Sequence, residues 1–213
     1  MKKFYAVPVC LVCMFFMASS ALSMTPDEIK ILGSMNNGTY TNETLGLTVS
    51  FDAERWRMMT EEEMLEIMKT KLPDNLSEMD KALKYHVPVF QAVTTKGILN
   101  VNITVNDIGM ASTVASWNPS VFLKSFLGGM SRTLEKSYHD SGMEDVSFDI
   151  TTVNFIGSEH HVLHSKMKYR NVPMYQKQVA VLAGKYVYLI SATSLITDRT
   201  DEILAMFVKI ESE

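Results

Sequence analysis

The fold is decided by residues 146–193, VSFDITTVNFIGSEHHVLHSKMKYRNVPMYQKQVAVLAGKYVYLISAT. Apolar and polar residues alternate along this stretch, and turn signals interrupt it at Gly157, at Asn171-Val172-Pro173 and at Gly184-Lys185. Alternation with a period of two is typical of β-strands, and short turns join antiparallel neighbours. We therefore predict an antiparallel meander of four strands, at residues 146–156, 159–169, 174–183 and 186–193.

Two further strand pairs are predicted upstream of the meander. The first covers residues 39–51 and turns at Asn42-Glu43, and the second covers residues 87–94 and 99–107 and turns at Lys96-Gly97. In the last of these strands an apolar face lies opposite a polar one, as period-two alternation requires. The inward sets are Leu45, Leu47, Val49 and Phe51 in the first pair, and Leu99, Val101, Ile103 and Val105, opposite Asn100, Asn102 and Thr104, in the second.

Helix signals separate these strands. Pro26 and Pro119 occupy first-turn positions of helices, and Thr60 with Glu63 forms a capping box. We predict helices at about residues 25–36, 60–72, 77–85, 118–138 and 197–210, the last of them with Ile203, Leu204, Phe207 and Val208 facing inward. Helices that cluster between runs of turn-linked strands indicate an α+β fold: an antiparallel sheet of about six or more strands with helices packed on it.

Gly128-Gly129 lies inside the longest predicted helix. Two glycines in a helix interior are unfavourable by about 2 kcal/mol relative to alanine. We expect another part of the protein to pack closely against them, or the helix to bend there, and close packing on the sheet is the preferred explanation. Without a preceding strand and phosphate-type spacing, the pair does not predict a nucleotide-binding loop.

The first 23 residues, MKKFYAVPVCLVCMFFMASSALS, have the pattern of an export signal. Two lysines precede an apolar run that is shorter than the about 20 residues of a membrane-spanning helix, and small residues follow it. We expect cleavage after Ser23, which removes both cysteines, Cys10 and Cys13, and leaves residues 24–213 as a single domain. Neither cysteine has the context of a lipidation site. The expected location is secreted, periplasmic or otherwise extracytoplasmic.

Charge and composition limit the classes of partner. The chain has 20 basic and 24 acidic residues, and loss of Lys2 and Lys3 changes the formal net charge from -4 to -6. The densest basic stretch, residues 166–170, alternates with Met167 and Tyr169 and predicts a strand with one wet face. Nucleic-acid binding needs a basic, aromatic-rich surface, so it is disfavoured. No second long apolar segment predicts a membrane anchor that would remain after cleavage.

The arrangement of elements resembles the PsbP-like fold family, which includes the photosystem II extrinsic protein, a Ran-binding nuclear import factor and exported bacterial proteins of unassigned role. The resemblance covers nearly the whole chain after the signal. It rests on Gly38-Thr39-Tyr40, Leu45-Gly46-Leu47, Phe51, Trp56, the stretch 99–103, Gly157, Gln178 and the stretch 184–188. These residues match core and turn positions, and they imply a PsbP-like α+β domain that binds a partner without catalysing a reaction.

His160, His161 and His164 are the candidate metal ligands. On a helix, an HxxxH spacing brings two imidazoles together, but the surrounding pattern predicts a strand. On a strand His160 and His164 share a face about 13 Å apart and His161 lies on the other face. One ion with bonds near 2 Å cannot bridge that distance, so a metal site requires a ligand from a neighbouring strand. Surface histidines on a wet face are the preferred interpretation, and we assign no metal site.

Trp117 and the methionines are candidate binding features. Trp117 precedes the longest helix and is either an exposed anchor for a partner or a hydrophobic staple next to the capping residue Asn118, with the staple preferred. The methionines Met58, Met59, Met64, Met68 and Met79 most simply fill a core, and an apolar groove under the helix at residues 61–71 is the binding alternative.

No catalytic pattern emerges from the remaining residues. The sequence has no GxSxG motif, Ser158-Glu159-His160 is adjacent in sequence only, and Glu61-Glu62-Glu63 fits the first turn of a helix. We assign no catalytic, cofactor-binding or metal residues. The expected function is that of an exported, non-enzymatic binding or accessory protein whose partner is an envelope or extracellular protein. The alternative is an extracytoplasmic metal-binding protein that uses the strand with His160, His161 and His164.

Overall fold

The computed structural model describes residues 31–60, residue 63 and residues 86–210. Its strands and helices follow the chain in this order: β1 (Ser34–Asn36), β2 (Thr39–Asn42), β3 (Leu47–Ser50), β4 (Trp56–Met58), β5 (His86–Thr94), β6 (Leu99–Asp107), α1 (Ala111–Trp117), α2 (Pro119–Asp140), β7 (Met143–Phe155), β8 (Ser158–Tyr169), β9 (Val172–Ala183), β10 (Tyr186–Leu195), α3 (Thr200–Leu204) and β11 (Phe207–Lys209).

The strands form two antiparallel sheets. The large sheet has the order β4-β5-β6-β10-β9-β8-β7, and the small sheet has the order β1-β2-β3-β11. Strands β7 to β10 pair consecutively, as the alternating sequence of residues 146–193 predicts, and β6 adds to the meander beside β10. The prediction of an α+β fold with an antiparallel sheet is therefore confirmed.

Each face of the large sheet has its own apolar cluster. On one face, alternate residues of β6 such as Val101 and Ile103 pack with aromatic side chains, including Phe51, Trp56 and Phe207, beneath the small sheet. On the other face, α2 packs its buried stripe on β7, β8 and β9. That stripe is Leu123, Leu127, Met130, Leu134 and Tyr138. The predicted amphipathic helix is confirmed, because its apolar stripe covers the sheet.

Burial of both faces of β6 was not expected from its alternating sequence. The polar residues Asn100, Asn102 and Asn106 are at most 2 % exposed, as thoroughly buried as the apolar ones between them. Alternation predicts which residues share a face, but it does not predict what covers a polar face.

Two predicted helix ends are wrong. The leading helix ends at Leu32, and residues 34–36 are strand β1. Gly33 lies between them with a positive φ of 71°, and a Cβ at this position would collide with Tyr40 and Thr41. At the other end, α3 covers only Thr200–Leu204, because the chain then forms β11 and pairs Phe207 with Val49 of β3. Pairing with the small sheet thus overrides the helical pattern there.

Trp56 is the first residue of β4. The capping box is confirmed at the residues that the structure describes, with Glu63 N donating to Thr60 Oγ1 at 3.1 Å and Thr60 N donating to the Glu63 carboxylate at 2.9 Å. This hydrogen bond from Thr60, with a further contribution from Arg57, lowers the pKa of Glu63. The helix predicted after it and the helix at 77–85 lie outside the described residues.

Close packing of Gly128 and Gly129 on the sheet is also wrong. A Cβ placed on Gly128 would lie 3.8 Å from Ile150 Cδ1, an ordinary van der Waals distance, and one on Gly129 would meet no atom within 4 Å. Neither glycine has a positive φ. Alanine would therefore fit at both positions.

Candidate functional site

The candidate site is an elbow between two helices. Pro119 begins α2, and a proline disfavours helical conformation at the residue before it, so Asn118 is extended, with φ −148° and ψ 82°. The Asn118 side chain accepts a hydrogen bond from Val121 N at 3.2 Å and caps α2. The predicted capping role of Asn118 is confirmed. The break separates α1 from α2 while the two helices stay in contact.

Four large apolar side chains around this elbow are exposed to solvent. Met110 is 94 % exposed, Val114 58 %, Trp117 80 % and Val121 59 %. We call these four residues the apolar stripe. Their spacing along the chain is that of one helix face, at i, i+4, i+7 and i+11. Ala115 on the opposite side of α1 is fully buried and holds the short helix against the protein.

The staple interpretation of Trp117 is wrong. A staple residue packs against the first turns of the helix that follows, and a side chain with four-fifths of its surface exposed does not. The second tryptophan shows the contrast, because Trp56 is 5 % exposed and contacts Phe51 with ring centroids 5.6 Å apart. Trp117 is therefore an exposed aromatic residue.

The surface of the elbow carries no formal charge. Residues 108–123 contain no Asp, Glu, Lys or Arg, although 21 % of the chain consists of these residues, so about three would be expected. An ion pair between Lys185 Nζ and Asp107 Oδ2, 2.7 Å long, borders this segment. Burial raises the pKa of Asp107, but hydrogen bonds from Lys185 and from Gly109 N outweigh it, and the pKa lies below its usual value.

The other residues of the stripe had a signal that sequence reasoning did not use. Met110, Val114 and Val121 repeat at helical spacing with Trp117 inside the uncharged run at residues 108–123. A stripe of this kind usually marks the buried face of a helix. Only the structure shows that this one faces solvent.

The three histidines lie on strand β8, as predicted, but they do not converge. His164 Nε2 is 3.2 Å from Asp198 Oδ2. His161 Nε2 is 2.8 Å from Ser120 Oγ, on α2, so His161 and His164 lie on opposite faces of the sheet. All three are half-buried rather than on a wet face.

Burial controls the protonation of two of these histidines. It lowers the pKa of His160, and a hydrogen bond to the Ala180 backbone only partly opposes the change. The ring of His160 packs edge-on against Phe155 with centroids 6.0 Å apart. Burial also lowers the pKa of His164 despite its contact with Asp198. Both imidazoles are thus favoured in the neutral form.

A metal site would require two of these imidazoles to meet a carboxylate or another histidine. Only His164 meets one in the contacts described here, and no group of three or more His, Cys, Asp or Glu residues capable of holding an ion occurs in residues 31–60, 63 and 86–210. The residues directly opposite His164 are Asp149 on β7 and Lys177 on β9, and Lys177 is itself paired with Asp201 at 2.6 Å.

A groove of about 480 Å³ lies between the β7–β8 turn and the C-terminal elements α3 and β11. Its lining is mainly apolar and includes Phe155, Ile156, Leu204 and Phe207. The carboxylate of Asp201 at its rim is occupied by Lys177. The groove offers apolar contact rather than a set of paired acid and base groups. The groove predicted under the helix at 61–71 lies outside the described residues.

Among the helices that the structure describes, none combines the length and the apolar character needed to cross a membrane.

Comparison with known proteins adds little information about the fold or the function. No protein-family model matches the chain, and no curated protein matches it. Among solved structures, the chain is similar to the crystal structure of LpqN, described as involved in cell envelope biogenesis of Mycobacterium tuberculosis. The two are 10 % identical, 75 % of each chain is covered, and the TM-score is 0.28. This likeness is too weak to transfer a fold or a function, and the PsbP-like resemblance stays a prediction.

Proposed function

We propose that this protein is an exported, non-enzymatic binding protein that docks a partner protein on the apolar stripe. The observation that carries the proposal is the exposure of Trp117 together with Met110, Val114 and Val121 within an uncharged segment of the chain. Export is supported by the signal pattern of residues 1–23.

The composition of the stripe favours a protein partner over a lipid surface. Tryptophan and methionine are enriched at the centres of protein interfaces and charged residues are depleted there, as in residues 108–123. Helices that lie on a membrane surface instead rely on Lys and Arg beside their apolar face, and α1 has neither. The acidic net charge of -4 also disfavours an anionic bilayer.

The spacing of the stripe indicates how the partner binds. Anchors at i, i+4, i+7 and i+11 are the pattern by which a helix face enters an apolar groove. Met110, Val114 and Trp117 come from α1 and its N-cap, and Val121 adds an exposed apolar side chain from the first turn of α2. The complementary surface on the partner is accordingly an uncharged apolar groove, because a charged group there would be buried without a counter-charge.

Site-specific crosslinking in the native host tests this proposal. A photoreactive phenylalanine analogue replaces Trp117 in one variant and the exposed Lys136 of α2 in a matched control. We expect one protein adduct of defined mass from position 117, none from position 136, and loss of the adduct when Val114→Ser and Val121→Ser remove the flanking anchors. No adduct at position 117, or equal adducts at both positions, would overturn the docking surface.

The partner identified in this way then allows a direct measurement of affinity. A buried tryptophan anchor is worth about 2 kcal/mol or more, so Trp117→Ser should raise the Kd about 30-fold, while Lys136→Ser should change it less than about twofold. Trp117→Ser should leave the Tm unchanged because the side chain is exposed. In the same cells, the intact mass of the extracytoplasmic protein should correspond to a chain that begins at Met24. A chain retained in the cytoplasm with Met1 would contradict export.

A further inference from the structure

The groove beside α3 and β11 is bounded by the open edges of two strands. β11 is the last strand of the small sheet and β7 the last strand of the large sheet, so within the described part of the chain each has a neighbour on one side only. The groove contacts all three residues of β11, Phe207–Lys209, and residues 153–155 of β7. Successive side chains of a strand point to opposite faces, so a groove that contacts three in a row lies along the edge of the strand. The two edges are close together, because the rings of Phe155 and Phe207 have centroids 5.5 Å apart.

The backbone of β11 directs hydrogen-bonding groups toward this open edge. Ile210 N donates to Gly46 O at 2.8 Å, next to the ladder between β11 and β3. Hydrogen-bonded and non-hydrogen-bonded pairs alternate in an antiparallel ladder, so Val208 forms the next hydrogen-bonded pair with β3. The N–H and C=O groups of Phe207 and Lys209 consequently point away from β3. These are the groups with which a further strand can pair.

The side chains along this edge are apolar, with one cation. Val208 lines the groove and is 58 % exposed. Lys209 is exposed and forms no ion pair with any residue that the structure describes. Asp201, the acidic side chain of the lining, is paired with Lys177 at 2.6 Å. The groove therefore favours an apolar ligand that also carries a carboxylate for Lys209.

The turn between β7 and β8 places another apolar side chain at the groove against its backbone preference. Ile156 and Gly157 both have positive φ, 48° and 82°, as a two-residue type I′ turn requires. Asparagine before glycine suits such a turn, whereas a β-branched residue is strained in this conformation. Ile156 nevertheless lines the groove. Backbone strain of this kind is concentrated at sites that bind ligands.

We propose that the open edge of β11 binds an extended peptide segment of a partner protein, with apolar side chains at alternate positions and an acidic side chain beside Lys209. A peptide that adds to a sheet edge gains affinity from main-chain hydrogen bonds and specificity from pockets for alternate side chains. The segment would be a fifth strand of the small sheet, next to β11. This inference goes beyond docking on the apolar stripe and does not depend on it. A short edge strand with a lysine also discourages aggregation, and if that is its only role no peptide binds.

Selection of a phage-displayed library of random nine-residue peptides on the purified protein tests this proposal. We expect the selected peptides to alternate apolar and polar residues and to include Asp or Glu. A synthetic, fluorescently labelled copy should bind saturably in an anisotropy titration. Absence of any saturable binder would overturn the proposal.

Methylation of the peptide backbone then distinguishes strand pairing from contact by side chains alone. Methyl groups on alternate backbone nitrogens block hydrogen bonds along one edge of an extended peptide and leave its side chains unchanged. Methylation of one alternate set should abolish binding, and methylation of the other set should weaken it less than about threefold. Equal affinity of the two methylated forms would overturn pairing with β11.

Four variants locate the peptide on this edge. Lys209→Gln removes the charge and should weaken binding about threefold to fivefold, as loss of one exposed ion pair does. Lys209→Pro also removes the outward N–H, which an edge strand tolerates, and should weaken binding about tenfold or more. Val208→Thr should weaken it about threefold, whereas Val114→Thr, the same change on the apolar stripe, should leave it unchanged.

Two results with these variants would also overturn the proposal. The first is equal affinity in Lys209→Pro and wild type, and the second is equal affinity in the Val208 and Val114 variants. If Lys209→Pro does not fold, the two methylated peptides provide the same comparison with the wild-type protein.

Discussion

Replacement of the paired glycines of α2 by alanine should stabilise the protein. Gly128 and Gly129 lie within the 22-residue helix Pro119–Asp140, and neither needs a glycine for its backbone conformation. A Cβ at position 128 would touch Ile150 Cδ1 at 3.8 Å, and one at position 129 would point into open space. Neither substitution therefore displaces a neighbour, and the stability change is set by helix propensity.

The magnitude follows from the difference between glycine and alanine in a helix interior, about 0.8–1.0 kcal/mol per residue. Gly128→Ala and Gly129→Ala should each raise the free energy of unfolding by about 1 kcal/mol, and the double variant by about 2 kcal/mol. For a chain of this size, that corresponds to a rise in Tm of about 4–8 °C for the double variant.

Thermal and urea unfolding followed by circular dichroism measure both quantities. Ser125→Ala, at an exposed position of the same helix, is the control for a general effect of added helix propensity, and its gain should be smaller than that of either glycine variant. A loss of stability in Gly128→Ala or Gly129→Ala would show that another group packs against the glycines, as the sequence first suggested. The placement of α2 on the sheet would then be refuted.

Two further predictions concern the core and the response to acid. Leu127→Ala removes a fully buried side chain between α2 and the sheet, so the free energy of unfolding measured in urea should fall by about 3 kcal/mol. A fall below about 1 kcal/mol would mean that the buried stripe of α2 is not packed on the sheet at this position. His160 and His164 have folded-state pKa values below 6.5, so the unfolded chain binds more protons as the pH falls. The stability contributed by the two neutral imidazoles should be fully present above pH 6.5 and be lost as the pH falls through their folded pKa values. His160→Gln and His164→Gln should each reduce the fall in Tm between about pH 7 and 5. An unchanged fall in the double variant would contradict titration of these histidines as its cause.

The strands of the meander could be predicted because their signal is local. Alternation and turn residues placed β7 to β10 within a few residues of their observed ends, and antiparallel pairing followed from the short turns. The position of β11 could not be predicted in this way. Its residues Phe207 and Val208 suit a helix face, and only pairing with β3, more than 150 residues earlier, makes them a strand.

The buried polar residues of β6 show a different limit of sequence reasoning. The pattern of Asn100 and Asn102 between Leu99, Val101 and Ile103 correctly assigns two faces to β6. Whether the polar face meets water depends on elements that are distant in sequence and on neighbouring strands that contribute Gln91 and Ser191 beside it. Period-two alternation is the same whether the polar face is buried or exposed to water, so the pattern cannot predict which of the two applies.

The apolar stripe and the buried stripe of α2 have similar sequences and opposite environments. Both repeat large apolar residues at helical spacing, yet Leu123 and Leu127 are buried while Trp117 and Val121 are exposed. The turn at Asn118-Pro119 ends α1, so α2 starts in a new direction with Leu123 and Leu127 on the sheet, while Val121 in its first turn stays exposed. A helix that continued through residue 118 could not have changed direction at this point. The proline thus allows four apolar side chains to remain available to a partner while the helix that follows completes the core.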